Sequence, residues 1–152
     1  MKTGTSERPD LPLAVVVGAG GMGVSAARRL GNHYRILLTD INGDRAEERA
    51  AAMRDDGYDA VSCRSDITDL NSVARLAEAV AAQAPLRALV NVAAISPSMG
   101  AWRDIINLNL IGAAMSQRRS WPSFAFTRSA AICDQPPGAA PRSTMRPPGF
   151  RR

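Results

Sequence analysis

Three glycines and a few carboxylates carry the clearest chemical signal in this chain. Gly18, Gly20 and Gly23 form the pattern G-x-G-x-x-G, directly after the apolar run Leu13 to Val17. Where such a loop joins a strand to a helix, each glycine has a use. The first permits a tight turn, the second lets the backbone approach a pyrophosphate, and the third lets the helix pack close to the strand. The helix then presents free N–H groups and the positive end of its dipole to the phosphates. Glycine-rich turns also occur with no ligand, so the loop alone is a weak signal. Met22 falls within it, where it would line the ligand. Asp40 closes the next apolar run, 22 residues past Gly18. A carboxylate there can accept hydrogen bonds from adenosine ribose hydroxyls, and its charge repels a 2′-phosphate. It can also cap the helix that follows. Arg45 lies nearby but inside that helix, so the spacing favours NAD, with NADP the lesser expectation. His33 sits in the turn before the second run, away from the strand ends where ligands bind in such sheets, and no metal-ligating cluster is evident.

The elements that must position these residues alternate. Leu13–Val17 is a continuous β-branched run, suited to a strand buried on both faces. A helix follows from the glycine loop to Leu30, closed by Gly31 as the residue after its C-cap. Tyr34 to Thr39 gives a second strand, and Gly43 to Asp56 a helix rich in Ala, Glu and Arg that Gly57 stops. Asp59 to Cys63 is a third, weaker strand. Thr68 or Asp69 caps a helix in which Val73, Leu76, Ala77 and Val80 share a face, ended by Pro85. Leu89 to Val92 lies in a fourth strand, and Trp102 to about Ala114 reads as a fourth helix. Such strand–helix alternation predicts an α/β fold with a doubly wound parallel sheet, helices on both faces.

From Leu13 to Gly112 the chain resembles the short-chain dehydrogenase/reductase family. Besides the glycine loop, the segment Asp66-Ile67-Thr68-Asp69 is similar to the family's D-[VIL]-[TS]-D, whose first Asp reaches the adenine amino group. Asn91 to Ala94 resembles its N-x-A-G motif, with Ala94 in place of the last glycine. Asn109-Leu-Ile-Gly112 matches its N-[LV]-x-G. The loop itself departs from the family's commoner T-G-x-x-x-G-x-G spacing. The resemblance implies a Rossmann-type sheet, here ending after the fourth strand and its helix, and a nicotinamide dinucleotide. It places Gly18, Gly20, Met22, Gly23, Asp40, Asp66, Ile67, Asn91 and Ala93 at the cofactor. It makes Asn109 the tetrad residue that holds a helix kink and a proton-relay water.

The family's chemistry also calls for a Tyr-x-x-x-Lys pair and a Ser. Four residues beyond Tyr34 and Tyr58 stand Leu38 and Ser62, and the one lysine is Lys2. Without the proton donor, about 10²–10⁴-fold of acid–base catalysis is expected to be lost. Three functions follow as expectations: an NAD-binding oxidoreductase fragment without full activity, a non-catalytic NAD-binding module, and a basic-tailed interaction protein.

Composition divides the chain near residue 115. Residues 1–114 hold 12 Lys+Arg against 13 Asp+Glu; residues 115–152 hold 7 Arg against Asp134 alone. All the leucines and valines precede residue 115, while 6 of 10 prolines follow it. The net charge of +5 therefore belongs to the tail, and a nucleic-acid-binding domain is not expected. Trp121 beside Arg118 and Arg119 is read as incidental. The organisation expected is a lead-in over 1–11, a dinucleotide-binding domain over 12–116, and an irregular tail over 117–152. The tail's composition also suits translation in a shifted frame, which the other frames of the coding DNA would test. The two cysteines, Cys63 and Cys133, are too few for a disulfide framework, and no signal peptide or membrane-length apolar run is visible. A cytoplasmic location is expected. Ala88 to Val92 is expected to form an exposed apolar edge, prone to self-association.

Overall fold

The computed structural model describes residues 11–118. The lead-in before residue 11, the tail from residue 119, Cys133 and the Trp121 patch lie outside the described residues. The elements follow in the order β1 (Leu13–Val17), α1 (Gly21–Leu30), β2 (Arg35–Asp40), α2 (Gly43–Asp55), β3 (Ala60–Arg64), α3 (Leu70–Ala81) and β4 (Leu86–Asn91). A last helix begins as α4 (Trp102–Ile106), widens into a π-helical turn (Asn107–Gly112) and returns to α-helix as α5 (Ala113–Arg118).

The four strands form one sheet in the order β3-β2-β1-β4, with every pair parallel. This is the doubly wound, Rossmann-type arrangement the alternation predicts. Strand residues point alternately to opposite faces, and β1 shows what each face meets. Ala14 and Val16 join Ala27, Ile36, Leu38, Ala46, Ala50 and Met53 in a core beneath α1 and α2. Leu13, Val15 and Val17 join Leu37, Val73, Leu76 and Val80 beneath α3. An unbroken apolar run is therefore what a central strand needs. The pairing of β1 with β4 slips once, between Leu13 and Ala14, and is regular from Ala14 to Val17.

Several boundaries differ from the sequence reading for identifiable reasons. Gly31 does not adopt the left-handed conformation of a helix-ending glycine: its φ is −61°. It is needed because a Cβ there would stand 2.7 Å from the Tyr58 ring. Asp69, not Thr68, caps α3, accepting from the Asn71 N–H at 3.0 Å. β4 begins at Leu86, three residues before the expected start. The fourth helix is not one regular element, and its π turn lies against the chain at Ile67. A Cβ on Gly112 would come within 3.2 Å of the Ile67 side chain and carbonyl. Among the described residues β4 has a strand on one side only, and five of its six residues are half-buried.

Candidate functional site

The carboxyl ends of β1, β2, β3 and β4 carry Gly18, Asp40, Asp66 and Asn91 respectively, so the fold brings the sequence-predicted residues to one edge of the sheet. β1 and β4 are neighbours although three helices separate them in sequence. In open α/β sheets the crevice at such a switch of strand order is where ligands bind.

The glycines there have different duties. Gly18 has φ +106°, and a Cβ would stand 2.9 Å from the Ala93 nitrogen, so the loop seats directly on the chain leaving β4. A Cβ on Gly23 would stand 1.7 Å from the Gly18 carbonyl oxygen. These two glycines are required by the fold itself. Gly20 is not: its φ is −75° and a Cβ would meet nothing within 4 Å. Gly20 is also the N-cap of α1 and supplies no side-chain hydrogen bond to the first turn. The first N–H groups of a helix have no acceptor within it. At α1 no side chain caps them, a Cβ at Gly20 or Gly21 would meet nothing within 4 Å, and the turn holds no acidic residue. Met22, in that turn, is 73% exposed.

Asp40 is buried at the end of β2, and its carboxylate ties the loops together. Oδ2 accepts the Ala19 N–H at 2.7 Å, and Oδ1 accepts the Asn42 N–H at 2.9 Å and the Arg45 guanidinium at 2.7 Å. Burial alone would raise its pKa. The Asn42 and Ala19 N–H bonds and the Arg45 cation outweigh it and hold the carboxyl below its ordinary value. Asp40 does not cap α2, as the sequence allowed. Asn42 does, accepting from the Arg45 N–H at 3.0 Å. Sequence reading set Arg45 aside as a helix residue. It stands in the first turn of α2, from which its long side chain reaches back to Asp40. The separation of five residues across a helix start was the available signal.

The remaining predicted residues divide between surface and interior. Asp66 Oδ1 accepts from the backbone N–H and hydroxyl of Thr68, at 2.9 and 2.7 Å. Its Oδ2 has no hydrogen-bond partner among the described residues. Ile67 is 3% exposed and belongs to the core under α3, so only its backbone is available to a ligand. Asn91 turns its side chain into the protein, accepting from the Ala93 N–H at 3.1 Å and donating to the Ser116 hydroxyl at 3.3 Å. Asn109, within the π turn, accepts from the Ile95 N–H at 3.0 Å and donates to the Ile95 carbonyl at 2.9 Å. It thus pins the loop after β4 to the last helix. A separate open groove of about 530 Å³ lies along α4 and the π turn, lined by Trp102, Arg103, Ile106 and Ile111 among others; it contains none of the predicted site residues. Among the described residues no cluster of His, Cys, Asp and Glu could hold a metal, and no helix is long and apolar enough to cross a membrane.

The family model for short chain dehydrogenases matches residues 12–133. The chain belongs to the short-chain dehydrogenase family. A cis-4-hydroxycyclohexanecarboxylate dehydrogenase of Sinomonas cyclohexanicum is 32% identical over 130 residues, covering 79% of this chain and 52% of that one. A short-chain dehydrogenase/reductase of Alternaria brassicicola is 32% identical over 98 residues, covering 64% of this chain and 36% of that one. Among solved structures, a metagenomic short-chain oxidoreductase in complex with NADP has 27% identity and a TM-score of 0.64, covering 72% of this chain and 56% of that one. An actinorhodin polyketide ketoreductase with NADPH has 24% identity and a TM-score of 0.68, covering 74% and 47%. The chain thus spans about half the length of the dehydrogenase of Sinomonas. Membership of this oxidoreductase family makes the glycine loop of α1 the place to look for a nicotinamide dinucleotide.

Proposed function

We propose that this chain binds a nicotinamide dinucleotide at the carboxyl edge of its sheet. The pyrophosphate lies over the N-terminus of α1 and the adenosine ribose lies against Asp40. The observation that carries this reading is the open space at Gly20, above a helix start that no side chain caps. Those N–H groups and the helix dipole suit a bound anion. Asp66, with one carboxylate oxygen unpartnered among the described residues, supplies an acceptor for the adenine amino group. Asp40 by itself favours the cofactor without a 2′-phosphate, which is the ground for preferring NAD. Bound there, the dinucleotide would supply hydride chemistry, and the chain's own residues bind and orient it. Asn109 is a positioning residue, fixing the Ile95 loop beside the site.

Turnover is not part of the proposal, because neither tyrosine of the given sequence has a lysine four residues on. Calorimetric titration of the full chain with NAD tests the reading. Saturable one-to-one binding is expected, lost in Gly20→Val while the thermal melt falls only slightly, since that position has room for a side chain and gives up only glycine's advantage as an N-cap. Binding by Gly20→Val with undiminished affinity would overturn it. A second reading, a family oxidoreductase with residual turnover, would be supported by NAD reduction that Asn109→Ala abolishes.

A further inference from the structure

Asp66 is held from more sides than a loop residue at a strand end needs. Its carbonyl accepts from the Asp69 N–H at 3.2 Å, and its Oδ1 is taken by Thr68. Its own N–H donates to the Ser72 hydroxyl, 2.9 Å away in the first turn of α3. Among the described residues only Oδ2 is left without a partner. Ser72 is buried, and 3.4 Å from its oxygen lies the hydroxyl of Ser65, also buried. Ser65 in turn donates its N–H to the Asp40 carbonyl at 3.0 Å. A chain of contacts therefore runs from the end of β2, through two buried hydroxyls, to the backbone of Asp66. The hydroxyls are not there for packing. The buried face of α3 is otherwise Val73, Leu76 and Val80, and a buried hydroxyl costs free energy unless it is hydrogen-bonded. What the Ser72 hydroxyl does is hold the Asp66 N–H, which would otherwise lack a partner.

We propose that Ser72 is a positioning residue for base recognition: its hydroxyl, braced by Ser65, fixes the Asp66 backbone so that Oδ2 is set for the adenine amino group before the ligand arrives. This rests on the dinucleotide reading above and adds to it a residue that touches no part of the ligand. A carboxylate on a loose loop gives up conformational freedom when it binds. One fixed in advance gives up little, so the contact to the base is gained at nearly its full strength. The brace also spans two strands. Through Ser65 it ties the Asp66 loop to the Asp40 carbonyl, which keeps the base acceptor and the ribose acceptor in one fixed relation.

The test is calorimetric titration of the full chain and its Ser72→Ala, Ser72→Thr and Ser65→Ala variants with two ligands. One is NAD. The other is its hypoxanthine analogue, which carries a carbonyl where adenine has the amino group. The parent chain is expected to prefer NAD by about 10-fold or more, the worth of one hydrogen bond to a charged acceptor. Ser72→Ala should weaken NAD by about 10-fold and leave the analogue nearly unchanged, so that the preference collapses. A merely structural role would weaken both ligands together. Ser72→Thr keeps the hydroxyl and should keep the preference. Ser65→Ala leaves the bond to Asp66 in place and should reduce the preference by a smaller factor. Should Ser72→Ala fail to fold, Ser65→Ala carries the test, and an undiminished preference there overturns the proposal. Equal weakening of both ligands in Ser72→Ala, or a parent chain that binds both alike, overturns it too and leaves the dinucleotide reading standing. Failure of the parent chain to bind either ligand overturns both.

Discussion

Helix α1 and its neighbours α2 and α3 start in the same sheet edge but end their first turns differently. Asn42 caps α2 and Asp69 caps α3, each with a side-chain oxygen on a backbone N–H. α1 has Gly20 in the equivalent place, with neither a capping side chain nor a neighbour where one would stand. All three helices face the same need, because every helix start leaves N–H groups without partners. Two meet part of it with a side chain of their own, and α1 has no side-chain cap among the described residues. Asp40 sits between the two arrangements, accepting from Ala19 just before α1 and from Asn42 just before α2. The difference sets α1 apart from α2 and α3, the helices that leave the carboxyl ends of β2 and β3; α4, with Ala101 as its N-cap, also lacks a side-chain cap.

The comparison can be broken most forcefully at Gly23. Gly23→Ala places a methyl group 1.7 Å from a backbone oxygen that has no freedom to move aside. The loop must open, with an expected loss of about 3 kcal/mol or more in denaturant unfolding. The same change at Gly20 meets no atom and should cost about 1 kcal/mol or less, alanine being the poorer N-cap, and equal losses at the two glycines would refute their assigned duties. Asp40→Asn comes next. An amide cannot accept from Ala19, Asn42 and Arg45 together, and a buried group left unsatisfied costs about 1–3 kcal/mol. This effect depends on pH with a definite sign. The folded carboxyl is held below its ordinary value, so its stabilisation is full above the usual carboxylate range and is lost as pH falls through the depressed value. The stability gap between the parent chain and Asp40→Asn should therefore shrink on acidification. A gap that widens instead would mean that burial prevails over the three donors.

Smaller effects sharpen the contrast between the helix starts. Asn42→Ala and Asp69→Ala should each cost about 1 kcal/mol in thermal or denaturant unfolding, with no effect of Asp69→Ala on dinucleotide affinity. Gly20→Asp should do the reverse. Giving α1 a cap is expected to gain a few tenths of a kcal/mol in stability, since glycine is only that much poorer than a good cap. The added carboxylate would occupy and repel the phosphate position, so titration should show no dinucleotide binding. A stable Gly20→Asp protein that still binds NAD would remove the reason for setting α1 apart.

Much of this was legible without coordinates. Leu13 to Val17 reads as a strand buried on both faces, and β1 is buried along its whole length with a separate core on each side. The order of glycine loop, Asp40, Asp66, Asn91 and Asn109 led to the family. Other features were not legible, because they depend on partners distant in the chain. Gly31 looks like any helix-ending glycine until Tyr58 is seen against it. Asn91 and Asn109 are each placed by a motif that does not give their partners: one is turned inward to Ser116 and the other holds Ile95. β4 is as apolar as β1 in Leu89 and Val90 but is only half-buried, because its place in the sheet leaves one side without a strand among the described residues.

The sequence by itself determined the alternation of strands and helices, the position of the glycine loop after β1, and the break in composition near residue 115. These follow from local pattern: periodicity, turn chemistry and charge are properties of neighbouring residues. Only the tertiary structure decided which glycines serve the fold and which leave room for a ligand. It alone brought the Arg45 guanidinium back onto Asp40 at the turn before α2. Burial, and the hydrogen bonds that make a buried charge tolerable, are set by what the chain folds against.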